Sequence, residues 1–112
     1  MLMKEILDNA YEFLESAEDN VKKERFNAAV SDFFKAIVTF YDYLIYQEIK
    51  IIPKNHNERF SLLEKYFNNI YGKVIELFKK YRESYNLRLK KEDALNLKAF
   101  AYELRDFIKS KE

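Results

Sequence analysis

Residues 25–50 read RFNAAVSDFFKAIVTFYDYLIYQEIK. Phe26, Ala29, Val30, Phe33, Ile37, Phe40, Tyr41 and Leu44 recur at steps of three and four, the spacing that lines up one face of an α-helix. Phe34, Val38 and Ile45 widen that face until the helix is apolar nearly all round. Such a helix belongs at the centre of a domain, with others covering it. Its polar residues Asp32, Lys35, Thr39 and Asp42 recur at i, i+3, i+7 and i+10. A narrow polar stripe on a buried helix needs hydrogen-bond partners or a wet cleft.

Working outward, residues Leu2 to Lys22 place Ile6, Ala10, Phe13, Leu14, Ala17 and Val21 on one helical stripe, with acids on the other side. After the central helix, Ile51-Ile52-Pro53-Lys54-Asn55-His56-Asn57 is the clearest break, because proline disfavours helix in the residue before it and lacks a donor. Asn55 followed by Glu58 reads as a helix start. From Asn57 to about Tyr85, Phe60, Leu63, Phe67, Ile70, Val74, Leu77 and Tyr81 alternate at three and four. Gly72 could divide that stretch, but the unbroken phase predicts one continuous helix. At 1.5 Å per residue the second and third helices would each extend roughly 40 Å. A last helix, Glu92 to Lys109, uses Leu97, Ala101, Leu104 and Ile108. The expected fold is all-α, an up-and-down bundle of four or five helices, forming one domain over residues 1–112.

Composition agrees. Hydrophobic residues make up 48% of the 112 and charged residues 35%, enough for both a core and a solvated surface. One glycine and one proline leave little material for the many turns of a β or α/β domain. Without cysteine there is neither a disulfide nor a thiolate metal site. The opening MLMKEILDNA lacks the apolar run of a signal peptide, and no segment has the ~20 apolar residues of a membrane helix. The expected location is the cytoplasm, with no membrane partner.

Few residues could carry chemistry. His56 is the only histidine and lies in the proline loop, where it reads as a candidate base or as a surface residue beside a helix cap. It has no second histidine for a transition metal and no nucleophile context for a triad, so no metal and no cofactor are expected. The acids Glu5, Asp8, Glu12 and Glu15 fall at helical spacing and read as a solvated face. Charge is unevenly spread. Residues 1–24 hold seven acids and three bases, a net of −4, whereas residues 79–91 hold six bases and only Glu83 against them, a net of +5. Tyr81 and Tyr85 interleave with those bases, a combination that suits phosphates and unstacked nucleobases. Cations at a helix C-terminus also complement the helix dipole, and the two opposite patches could meet within or between protomers.

Three stretches resemble the HEPN superfamily. Arg25-Phe26-Asn27-Ala28-Ala29-Val30-Ser31-Asp32-Phe33-Phe34-Lys35-Ala36 is similar to the second HEPN helix, Pro53 to Phe67 to the family's Pro/His-containing loop, and Tyr81-Arg82-Glu83-Ser84-Tyr85 to its Arg-and-Tyr segment. The resemblance implies a helical domain that commonly dimerises and often accompanies a nucleotidyltransferase. Catalytic members are metal-independent ribonucleases with an Arg-x(4–6)-His motif, in which Arg stabilises phosphate charge and His moves the 2′-hydroxyl proton. Here that window after Arg82 holds Leu87, Arg88 and Leu89, with no histidine. The resemblance therefore implies a binding role: a homodimer with Arg82 and Arg88 on phosphate, Tyr85 stacking, and Asp32 and Lys35 lining the same cleft, with Asp32 orienting an arginine. The ligand would be RNA, a nucleotide or a nucleotidyltransferase partner. The alternatives are a toxin-type ribonuclease that brings His56 to Arg82, and a purely structural interaction bundle.

Overall fold

The computed structural model describes residues 2–111. They form five helices, α1 (Leu2–Lys22), α2 (Phe26–Ile49), α3 (His56–Tyr66), α4 (Asn68–Glu83) and α5 (Lys91–Ser110), with no strand among the described residues. The protein is an all-α bundle. None of these helices is long and apolar enough to cross a membrane.

α2 is the centre. It carries twelve of the twenty-four buried apolar side chains of the described residues, so nearly every side of it is covered. α1 and α5 approach it through small residues seven apart: Ala10 and Ala17 on one, Ala94 and Ala101 on the other, all fully buried. α1 runs antiparallel to α2, since Asn20 meets Asp32 while Tyr11 meets the ring of Phe40 at 5.8 Å. α5 runs parallel to α2: Asn27 bonds the loop just before α5, and Tyr41 faces Phe100. α4 is antiparallel to α2, with Phe34 beside Phe78 and Tyr81, and Asn27 beside Ser84.

With one glycine in the chain, the turns fall to other residues. α1 ends in a left-handed residue, Glu24 (φ 58°), and α2 in another, Lys50 (φ 59°), whose N–H donates to the Tyr46 carbonyl at 2.8 Å. This is the usual helix-ending geometry, carried here without the glycine that makes it unstrained. Asn55 caps α3 as its sequence context implies, its side chain accepting from the Glu58 N–H at 2.8 Å.

The continuous third helix is corrected. The chain breaks at Phe67 (φ −137°, ψ 47°), five residues before Gly72, which lies exposed inside α4. α3 and α4 fold back on each other as a hairpin, placing His56 beside Phe78 and Tyr81, and Phe60 edge-on to Phe78 at 5.0 Å. The apolar phase survives because both short helices use the same side of the sequence stripe. A straight helix over 57–85 would reach roughly 40 Å, longer than the molecule's 38 Å long axis, and would carry Phe60 away from the core. Asn68 and Asn69, poor in helix interiors and good at caps, follow the break.

Candidate functional site

The cationic end of the molecule is assembled by one residue of α2. Asn27 Nδ2 donates to the carbonyls of Ser84 (2.9 Å) and Leu87 (2.6 Å), and its Oδ1 accepts from the Leu89 N–H at 2.9 Å. These three bonds pin the α4–α5 loop over the start of α2. Within the loop, the N–H groups of Tyr85, Asn86 and Leu87 wind back onto the last turn of α4. At its far side Asp93 accepts from the Lys90 N–H at 2.8 Å and starts α5. That backbone bond, with the Lys80 ammonium 3.4 Å away, holds the Asp93 carboxyl below its ordinary value.

Of the predicted cations, Lys80 is engaged by Glu83 and Asp93. Lys79, Arg82, Arg88, Lys90 and Lys91 have no ion-pair partner among the described residues. Arg82 lies over the Phe78 ring, 5.8 Å from its centroid, and with Lys79, Glu83, Asn86 and Leu87 lines an open cleft of about 420 Å³, the Glu83 carboxylate being held by Lys80. Arg88 belongs to a neighbouring cleft of about 300 Å³, with Glu24, Arg25 and the first turn of α2. That turn has no side-chain cap, so its N–H groups add partial positive charge to the two guanidinium groups. Tyr85, in the loop after α4, is 70% exposed. Its hydroxyl shares a 2.8 Å hydrogen bond with the Tyr81 hydroxyl, and Tyr81 stacks on buried Phe34 at 4.7 Å. Burial first, then the bond to Tyr85, pushes the Tyr81 hydroxyl up to about 12. Tyr81 anchors the pair to the core, and Tyr85, bonded to it, is offered to solvent.

Asp32 and Lys35 do not join this end. Asp32 Oδ2 accepts from Ser16 Oγ at 2.6 Å and Asn20 Nδ2 at 3.0 Å, so its carboxylate faces α1 and orients no arginine. The Lys35 carbonyl accepts from Thr39 Oγ1. The stripe is half-buried, and its Asp32 fastens α1 to α2.

The arginine that a stripe carboxylate does hold is one the sequence did not single out. Arg59 grips Asp42 with Nε on Oδ1 at 2.6 Å and Nη2 on Oδ2 at 2.8 Å, both side chains being 12–15% exposed. Its Nη1 also donates to His56 Nδ1 at 2.9 Å. The imidazole stacks on Phe60 and touches Phe78 and Phe34. Burial, followed by the adjacent guanidinium, lowers the His56 pKa, so the ring is neutral at pH 7 with its proton on Nε2. Such a ring gains a second proton only by breaking the Arg59 bond. That geometry is poor for a general base and good for a fixed packing element. Arg59 is seventeen residues from Asp42, and no local spacing announces such a pair. The acids of α1 are the solvated face expected, with Glu5, Asp8, Glu12 and Glu15 all exposed.

No protein-family model, curated protein or solved structure matches the chain.

Proposed function

We propose that the protein is a HEPN-like helical binding module that holds single-stranded RNA on its cationic end, working as a cytoplasmic homodimer beside a nucleotidyltransferase. The observation that carries this reading is the pinned loop: Asn27 fixes residues 84–89, just after α4, so that Arg82 lines one cleft, Arg88 lines another, and Tyr85 is exposed on the same loop. Unpaired guanidinium groups neutralise phosphates, and a tyrosine anchored at its inner edge gives a splayed base a flat surface to stack on. Neutralising phosphates releases counterions, so binding must weaken as salt rises. Filter binding of a labelled oligoribonucleotide tests it. Arg82→Ala and Arg88→Ala should each flatten the log–log salt dependence by about 1, while Tyr85→Ala weakens binding by roughly 1–3 kcal/mol at every salt concentration. Salt slopes unchanged in both arginine variants would remove the reading.

A metal-independent ribonuclease is the second reading, and one contact favours it: Arg82 and His56 both lie against the Phe78 ring. Against it stands the Arg59 bond at His56 Nδ1. RNA incubated with the protein in EDTA decides, since cleavage that disappears in His56→Ala requires this reading and intact RNA at high protein concentration dismisses it.

A further inference from the structure

Away from the RNA surface, a cavity of about 240 Å³ opens between the first turns of α4 and the C-terminal half of α5. Its walls are three phenylalanines, Phe67, Phe100 and Phe107, with Ile70 and Leu104. Phe107 is half exposed at its rim. The polar features are Tyr41, Glu103 and Asn69, and no lysine or arginine lines it. Tyr41 is fully buried, and its hydroxyl has no hydrogen-bond partner among the described residues. Burial, then the charge of Glu103, pushes the Tyr41 pKa well up, so the hydroxyl keeps its proton. A hydroxyl buried without a partner is costly, and the chain carries that cost on an aromatic-walled cavity.

We propose that this cavity binds a small aromatic molecule of one or two rings that bears an N–H or O–H group and no negative charge. An apolar cavity of roughly 150 Å³ takes benzene, so this one has room for a second ring or a polar substituent. Ring faces and edges of the three phenylalanines suit an aromatic guest. The guest's polar group supplies the partner that the Tyr41 hydroxyl lacks. Glu103 welcomes a donor and repels a carboxylate, and the wall holds no cation to offset that repulsion, only the neutral Asn69 amide.

Indole is the probe, titrated into the isotope-labelled full chain and followed by amide shifts, with indole-3-acetate as the anionic control. Indole should shift the amides of Ile70, Phe100 and Leu104 and raise the melting temperature, and indole-3-acetate should bind more weakly. Tyr41→Phe, nearly the same shape, should weaken indole about threefold to tenfold while leaving the free protein no less stable. Ile70→Trp places an indole ring at the mouth and should abolish binding; should that variant not fold, Tyr41→Phe still decides. Absence of shifts up to the solubility of indole would overturn the proposal, as would equal affinity in wild type and Tyr41→Phe. Concentration-dependent shifts of the same amides without any probe would assign the cavity to a second copy of the chain and overturn it too.

Discussion

Replacing Asn27 with alanine removes two donors and one acceptor at a single stroke, and the structure says what each was holding. A typical intramolecular hydrogen bond contributes about 0.5–1.5 kcal/mol net. The Ser84 and Leu87 carbonyls lie near solvent and recover part of their loss from water, and alanine is the better helix former by about half a kcal/mol. The net cost in Asn27→Ala should be about 1–2 kcal/mol, which for a domain of this size lowers the melting temperature by roughly 4–12 °C. Loss of stability alone would not test the clamp. Hydrogen exchange at the Leu89 amide does: it should be protected in wild type, fast in Asn27→Ala, and still protected in Asn27→Asp, which keeps the acceptor and loses both donors. On the proposed RNA-binding role, the affinity of Asn27→Ala for RNA should fall together with that protection, because Arg88 and Tyr85 lose their support. A Leu89 amide already fast in wild type would refute the clamp, and so would an Asn27→Ala protein that melts with wild type.

The remaining expectations concern the scaffold. Gly72→Ala should stabilise by up to about 1 kcal/mol, since glycine is the weaker helix former by that amount and an added Cβ at this exposed helical site meets nothing within 4 Å; chemical denaturation reads it. Arg59→Leu leaves the Asp42 carboxylate without its guanidinium, and removing one partner of a largely buried pair costs about 3 kcal/mol or more, measurable by the same unfolding. Stability should also fall as pH drops below the unfolded histidine value near 6.5 and level off once pH passes the depressed folded value of His56, because the unfolded chain takes up the proton first. His56→Gln should remove that component. Burial raises the Asp42 carboxyl despite Arg59, so its contribution has the opposite sign, with stability gained as pH falls through its folded value.

The central position of α2 was legible because a helix apolar on almost every side has only one place to go. The limits of α1 and α5 were legible for the same kind of reason, since one stripe, once buried, settles which residues touch. The turn at Phe67 was not. A three–four alternation records which residues are apolar and is silent on whether the chain doubles back, and a single non-helical residue leaves the phase almost intact. The pair Asn68–Asn69 was the local sign of the break, and Gly72, the more conspicuous suspect, sits in helix. At the site, the basic run and its tyrosines could be read directly. Asn27 stood in the HEPN-like stretch, but its role as a clamp lies in contacts with residues 84–89, fifty-seven or more positions away. The Arg59–Asp42 pair is long-range in the same way. Asp32 was assigned to the wrong cleft because helical spacing relates residues on α2 to one another and leaves open which neighbouring helix each will face.

Mapping a short single-stranded RNA onto the folded chain by amide chemical shifts at low salt tests the proposed RNA-binding surface most directly. Changes should concentrate at residues 79–91 and at the first turn of α2, around Arg25 and Asn27, and should vanish in an Arg82→Ala, Arg88→Ala double variant that keeps the wild-type fold. Shifts clustered on α1, or a spectrum that RNA leaves untouched, would contradict the assignment.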